Sequence, residues 1–598
     1  MVRVADYVIQ KIYEQGINQI FMITGRGILF LTDAVAKNPD LNGVSVYHEQ
    51  GASYAAMAYA QQKDGMGACL VSTGCAATNA VTGALCAWQD NLPCIFISGQ
   101  NMLSETTRYT GVPIRTYGSQ EADIIGIVKP VTKYAVMLTD PKDVVFEMEK
   151  AIYLANEGRK GPVWIDIPLD VQNMRIEPEK LRHFVLPEKA NLTKAVNDEI
   201  LQVVKKLEAA ERPVIFAGGG VRSAGATGWL KEFAEKVRIP VVFSTAAADA
   251  YGSGNTYAIG AVGSLGGSRA GNFTVQNADY IIAIGSKLCS QTIGSEPNKF
   301  ARNAEIVVVD IDQNEHTKQG ANINKTICAD AADFLRQLCA LNINLNCEDW
   351  LEKCLHWKDI FSVKNETFVA EVNETGMMDL YYFADELSSR LNKDTTVITD
   401  AGFEELIIPS TIGFHDQQRC LFPAAQGAMG YAVPAIIGAY YAGSKDIVTV
   451  VGDGSIMMNI QEFLAIQAYR IPAKIFVINN NMYAVIRKRQ KDLFRDRTIG
   501  NDPSDGVSCP DFEAIAKCFG FEYRKINTAK ELGEHLDDVL QMKGTVLCEV
   551  VCTEEQKYFH SSYALSKNKK LIKRPIEDLS PFLERDLFLK EMIVEPIE

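Results

Sequence analysis

Ile447-Val448-Thr449-Val450-Val451-Gly452-Asp453-Gly454-Ser455 decides the fold: five β-branched residues run straight into a turn in which two glycines flank an aspartate. Such a run, stopped by glycine, is the pattern of a strand buried on both faces of a parallel sheet. A helical stretch from about Gln461 to Tyr469 follows. A second strand, Lys474-Ile475-Phe476-Val477-Ile478, then ends in Asn479-Asn480-Asn481. Asp453 and Asn480 stand 27 residues apart, about one strand–helix–strand unit. Parallel strands joined by one crossover end on the same sheet edge, so the two side chains can meet there. One carboxylate and one amide oxygen suit Mg²⁺, which takes a few hard oxygen ligands and completes its octahedron with water and phosphate. The flanking glycines let backbone N–H groups approach that phosphate. The alternative is a tight turn with Asp453 as a helix N-cap and an unrelated asparagine turn.

Working outward, the same alternation of strand and helix recurs. Thr396-Val397-Ile398-Thr399-Asp400 opens this third unit and Thr545-Val546-Leu547-Cys548-Glu549-Val550 closes its sheet. A first unit is marked by strands at residues 20–23, 44–47, 68–71, 95–98 and 163–166. A second begins at Pro213-Val214-Ile215-Phe216-Ala217-Gly218-Gly219-Gly220 and continues through residues 280–285 and 306–310. A polar stretch at 187–198 separates the first two, and a charged, Trp-bearing helical connector follows Leu345. The expected architecture is α/β: three doubly wound parallel-sheet domains at 1–180, 190–345 and 370–555, with a tail at 556–598. The tail carries a basic run, Lys567-Asn568-Lys569-Lys570-Leu571-Ile572-Lys573-Arg574, and an amphipathic end that pattern alone does not place.

Composition excludes other classes. The 598 residues are 47% hydrophobic and 22% charged, which fits a multidomain globular chain rather than a disordered one. Acidic residues outnumber basic ones by 74 to 60, and a net charge of -14 argues against nucleic acid or an anionic membrane as a general partner. No apolar run approaches a membrane span and no signal peptide opens the chain, so a cytoplasmic protein is expected. Its 14 cysteines lack metal-site spacing and are expected as buried free thiols.

Taken with a Glu in Tyr47-His48-Glu49-Gln50-Gly51, the Gly452–Asn480 pattern resembles the thiamine diphosphate enzymes of the acetolactate synthase type, over about residues 1–555. The resemblance implies Asp453, Asn480 and the main-chain carbonyl of Met482 as Mg²⁺ ligands, with Gly452, Gly454, Ser455 and Gly402 around the diphosphate. It implies that Glu49 meets N1′ of the aminopyrimidine and manages its proton. Thr73 and Asn79, in Ser72-Thr73-Gly74-Cys75-Ala76-Ala77-Thr78-Asn79, match a cofactor-contacting turn whose central glycine and proline are altered here. Gln120, in Gly118-Ser119-Gln120-Glu121, matches a Gln that faces the reacting centre. Gln426-Gly427-Ala428-Met429 resembles the aminopyrimidine clamp, with Gly427 offering its carbonyl and Met429 forming an apolar buttress.

The departures concern substrate. Phe403-Glu404-Glu405 replaces the Gln-His contacts usual after Asp400-Ala401-Gly402. Arg489 stands where the family has a Trp, and Arg26 where it has a glycine, so two cations at the expected cleft suit an anionic or sugar-linked ketone. Ser286-Lys287-Leu288-Cys289-Ser290 replaces the Arg-Phe-Asp-Asp-Arg stretch that goes with flavin, which weighs against FAD. The expected function is a thiamine diphosphate- and Mg²⁺-dependent carboligase. It decarboxylates a 2-oxo acid such as pyruvate and passes the two-carbon unit to a second carbonyl, as a homodimer or homotetramer. Acetolactate synthase proper, an aldehyde-releasing decarboxylase or lyase, and a silent assembly subunit are the alternatives.

Overall fold

A computed structural model describes residues 1–187, 197–318, 320–565 and 570–597. Most of the 187–198 stretch and Lys567, Asn568 and Lys569 of the basic run lie outside the described residues. Three six-stranded parallel sheets carry the chain. In the first, the order is Asn42–Ser45, Gln19–Met22, Gly67–Val71, Cys94–Gln100, Val163–Pro168, Tyr134–Met137. The third repeats that order with Arg419–Leu421, Thr396–Ile398, Ile447–Gly452, Lys474–Asn479, Val546–Val551, Glu522–Ile526. The second runs Ala258–Ala261, Val241–Phe243, Pro213–Ala217, Tyr280–Ile284, Glu305–Asp310, Ile323–Cys328, so its chain order turns back at Pro213–Ala217. Central strands are buried along nearly their whole length, as expected of sheets covered by helices on both faces.

The first and third domains share a core. The helix Glu49–Lys63 is rich in alanine and lies buried against Ala432–Tyr441, with Tyr54 and Tyr431 packed edge to face at 5.4 Å. Small side chains let the two backbones approach closely.

The structure places two segments whose packing the sequence leaves open, and changes one expectation. The Trp-bearing connector is helical, as expected, and helix Glu348–Ile360 buries Trp350 and Trp357 against the central sheet, where Trp357 meets Phe273 and the two indoles meet each other. The tail is placed by contacts distant in sequence. Helix Arg585–Glu591 sets Phe588 on Phe273, and Glu591 accepts from Trp357 Nε1 and Lys353 Nζ. Of the cysteines, all free, eight are buried, but Cys75, Cys289 and Cys518 are exposed. No helix among the described residues is long and apolar enough to cross a membrane.

Candidate functional site

Strands Ile447–Gly452 and Lys474–Asn479 pair in parallel with Gly452 opposite Ile478, so Asp453 and Asn480 leave the sheet side by side. Asp453 Oδ2 accepts from the backbone N–H groups of Asn480 at 2.9 Å and Asn481 at 2.6 Å. Those bonds fix one carboxylate oxygen. Asp453 and Asn480 are buried, and Asn480 Oδ1 is a buried acceptor without a hydrogen-bond partner. Met482, also buried, follows two residues later. A Cβ on Gly454 would collide with the Tyr483 ring, so only glycine fits between the two strand ends. After Ser455 the chain enters a 3-10 turn, Ile456–Met458, and the regular helix begins only at Phe463. The helix expected from about Gln461 is thus in place, and the Gly452–Ser455 turn leads to it through 3-10 segments.

Asp400, wholly buried, ties the loops around this edge together. It accepts from Ser455 Oγ at 2.5 Å, from its neighbour Ala401 N at 2.7 Å and from Ala432 N at 3.3 Å, while Gly430 N donates to Ser455 Oγ at 2.8 Å. The Gly402 turn, the Gly427–Met429 segment and the Gly452–Ser455 turn thus share one anchor. Gly402 and Gly427 both adopt positive φ, and Met429 is half-buried, as a side chain lining a cleft would be. Glu404 and Glu405 face the same edge. Burial pushes both carboxyls up to about 8, with Asp400 adding to each and Asp453 adding to Glu404. Burial likewise holds Asp400 at about 6 and raises Asp453.

At the first domain's edge Glu49 is the first residue of its helix, with His48 as N-cap. Asn79 Nδ2 donates to Glu49 Oε2 at 2.9 Å. Ser72 Oγ accepts from Gly27 N at 3.1 Å, joining the Arg26 turn to the Ser72–Asn79 turn, and Thr73 Oγ1 lies 3.4 Å from the Gln120 carbonyl. Glu49, Thr73, Asn79, Gln120 and Arg26 are therefore gathered on one sheet edge, where Gln120 and Arg26 are exposed. Arg489 is exposed on helix Ala484–Phe494 of the third domain. Its neighbours are engaged: Arg487 with Asp502 and Glu555, Lys491 with Glu555, Lys488 with Asp492.

Two residues carry the site without a signal in the sequence. In the sequence Asp400 marks only a strand end and the start of the Asp400-Ala401-Gly402 turn, with no sign that it anchors three loops. Glu462 is fully buried and accepts from Tyr47 N and His48 N at 3.1 and 2.9 Å, so the third domain holds the turn that presents Glu49. Its partners lie more than 410 residues away in sequence, beyond the reach of spacing.

Two sheet edges built alike, one with a buried carboxylate–amide pair and one with a carboxyl at a helix start, define a cofactor-dependent α/β enzyme. The chain matches the models of the thiamine pyrophosphate enzyme N-terminal TPP binding domain at 2–127, the central domain at 200–338 and the C-terminal TPP binding domain at 400–550. It belongs to the thiamine pyrophosphate enzyme family, of the acetolactate synthase-like kind. It is 31% identical to a probable acetolactate synthase large subunit of Methanocaldococcus jannaschii, over 92% of this chain and 91% of that one. Identity is 29% to the acetolactate synthase large subunit of Lactococcus lactis (92% and 93% covered) and 29% to the acetolactate synthase isozyme 3 large subunit of Escherichia coli (90% and 92%).

Proposed function

We propose that the chain is a carboligase that decarboxylates a 2-oxo acid, most simply pyruvate, and transfers the two-carbon acyl unit to a second carbonyl compound. One observation carries the cofactor site: the partnerless buried Asn480 Oδ1 beside the buried carboxylate of Asp453. An orphaned buried acceptor costs about 1–3 kcal/mol, which a cation ligated there removes. In this reading Asp453, Asn480 and the Met482 carbonyl hold Mg²⁺, and Gly402, Gly452, Gly454 and Ser455 line the diphosphate. Gly427, Met429, Thr73 and Asn79 flank the aminopyrimidine.

Glu49 holds and releases a proton at its carboxyl, which the Asn79 amide keeps oriented. Thiamine diphosphate, when bound, supplies the electron sink that makes loss of CO₂ from a 2-oxo acid feasible. Gln120 orients substrate at the cleft mouth. Arg26 and Arg489 present guanidinium groups to an anionic acceptor such as a phosphorylated or nucleotide-linked keto sugar. No flavin is included, because the central domain carries the Ser286–Ser290 stretch described above. The relatives' names favour a second reading, acetolactate synthase itself, in which the acceptor is also pyruvate.

The active unit is a homodimer or larger, with the first domain of one subunit facing the third domain of another. Exposed apolar residues near both edges support this: Tyr109, Val112, Ile114 and Tyr117 on one side, Met457, Met458 and Phe494 on the other. The test is mass spectrometry of products from enzyme, cofactor, Mg²⁺ and pyruvate, alone and with aldehydes or nucleotide-linked keto sugars. A pyruvate-plus-acceptor adduct supports the carboligase. Acetolactate alone at full rate selects the second reading, and free acetaldehyde overturns both. Glu49→Gln should keep the fold and bind cofactor while losing about 10²- to 10⁴-fold in rate, read as hydrogen exchange at the cofactor's C2.

A further inference from the structure

Beneath the first domain's cleft edge runs a polar chain that packing alone does not explain. Trp164 Nε1 donates to Ser98 Oγ at 2.8 Å, and Ser98 Oγ donates to Asp166 Oδ1 at 2.6 Å. Gln100 Nε2 donates to Asp166 Oδ2 at 3.3 Å and to the Ala122 carbonyl at 3.0 Å. Gln100 Oε1 accepts from Thr73 Oγ1 at 2.8 Å and from Asn101 N at 3.1 Å, and Thr73 Oγ1 also lies 3.4 Å from the Gln120 carbonyl. Ser98, Asp166 and Gln100 are at most 2% exposed, on the adjacent central strands Cys94–Gln100 and Val163–Pro168. Apolar residues of similar size would fill that space at no desolvation cost, so a buried carboxyl there needs another purpose.

The chain has a direction. Asp166 Oδ2 accepts from the Gln100 NH₂, which turns the Gln100 carbonyl toward Thr73. The far end of the chain is the loop carrying Gln120. That loop is held residue by residue: Glu121 accepts from Tyr117 N at 2.7 Å, Asn101 Nδ2 donates to the Ser119 carbonyl at 2.8 Å, and Gln100 holds Ala122. Gln120 itself sits at φ +65°, a left-handed conformation that is strained for a non-glycine residue and persists only when the surroundings impose it. Gly74, at φ +66°, passes so close that a Cβ there would strike the Gln120 carbonyl oxygen.

We propose that Asp166, acting through Gln100 and its bond to the Ala122 carbonyl, is a positioning residue that holds Gln120 in its strained conformation at the mouth of the cofactor cleft. The role of Gln120 rests on the carboligase reading; the mechanical link does not. Asp166→Asn is nearly isosteric but offers an NH₂ where the chain needs an acceptor. In enzyme loaded with thiamine diphosphate and Mg²⁺, it should leave cofactor affinity unchanged and lower kcat for CO₂ release from pyruvate roughly 10- to 100-fold, the range for a misplaced group. Gln120→Ala should fall by a similar factor, and the double variant should be no slower than Gln120→Ala, because both act on one element. Amide hydrogen exchange of a peptide covering residues 117–122 should quicken in Asp166→Asn, while one covering Glu49 should not.

Full additivity of the two substitutions, an unchanged kcat, or unchanged exchange at 117–122 overturns the proposal. If the wild-type enzyme releases no CO₂ from pyruvate, the carboligase reading fails instead, and the exchange measurement alone judges the link. Should Asp166→Asn not fold, Ser98→Ala removes one donor to the same carboxyl and should give the same non-additivity with Gln120→Ala.

Discussion

Asp453 and Asn480 look equivalent as oxygen donors but differ in what holds them. Asp453 brings the charge and accepts two backbone N–H groups, whereas Asn480 contributes one neutral oxygen that has no other partner. Asp453→Ala should abolish Mg²⁺-dependent retention of thiamine diphosphate, and Asn480→Ala should weaken it about tenfold, since one neutral ligand can be replaced by water. Titration calorimetry with and without Mg²⁺ reads both, and equal affinity in all three proteins would put the ligands elsewhere. Glu404 and Glu405 give the same edge a pH dependence. The ordinary value of a Glu carboxyl is 4.5, and burial lifts both to about 8, so near neutral pH the folded chain keeps protons that the unfolded chain gives up. The stability this contributes is fully present below pH 4.5 and is lost as pH rises through about 8. The melting temperature of the metal-free protein should therefore fall as pH rises from about 6 to 9, and a Glu404→Gln, Glu405→Gln double variant should flatten that slope. A slope unchanged by the double substitution would mean that other carboxyls dominate.

Among the elements, sequence was legible where a strand is buried on both faces and illegible at the margins. Ile447–Gly452, Lys474–Asn479 and Tyr280–Ile284 are continuous apolar runs because helices cover both sides. Tyr134–Met137, Ala258–Ala261, Ile323–Cys328, Arg419–Leu421 and Glu522–Ile526 went unread, and each is a sheet edge. Edge strands are short or half-solvated, so they carry glycine and charge and lose the apolar signature. Val241–Phe243 is unmarked for another reason: it follows directly on Pro240 and gives way at once to the Thr245–Ala247 turn, whereas the equally short Thr396–Ile398 reads on into Thr399 and Asp400. The site followed the same rule. Residues at the ends of legible strands could be named, while Asp400 and Glu462, which act by bridging loops, could not. Glu462 holds two N–H groups at the turn before Glu49 from within the segment that follows the Gly452–Ser455 turn. Glu462→Ala should cost about 1–3 kcal/mol by stranding them, and should quicken amide exchange at residues 47 and 48. A denaturant midpoint within error of wild type would show that water replaces the carboxylate freely.

At the scale of the whole molecule, the two sheet edges pose a question of geometry that one chain answers only in part. Its first and third domains are joined back to back through helices Glu49–Lys63 and Ala432–Tyr441, with Glu462 clamping the turn before Glu49. That packing uses the flank of the Glu49 helix and leaves Gln120, Arg26 and Arg489 exposed. If Glu49 of one subunit serves the Asp453 of its partner, each site of a dimer takes one group from each chain. The arithmetic is then testable with two dead proteins. Glu49→Gln and Asp453→Ala, each inactive alone, form a mixed dimer in which one site carries both lesions and the other carries neither. With random reassociation of equal amounts, half the dimers are mixed and each has one intact site of two, so the mixture should recover about a quarter of wild-type turnover. Were each site built within a single chain, every site in the mixture would carry one lesion, and no activity would return. Dissociating the two proteins together, reassociating them with thiamine diphosphate and Mg²⁺, and measuring CO₂ release from pyruvate separates the two outcomes. The same mixture with Asp166→Asn added to the Asp453→Ala chain should lose recovery by the factor seen for Asp166→Asn alone, because the intact site draws its Glu49, and with it its Gln120 loop, from that chain; placed on the Glu49→Gln chain instead, the substitution falls in the site already lost and should leave the recovery unchanged.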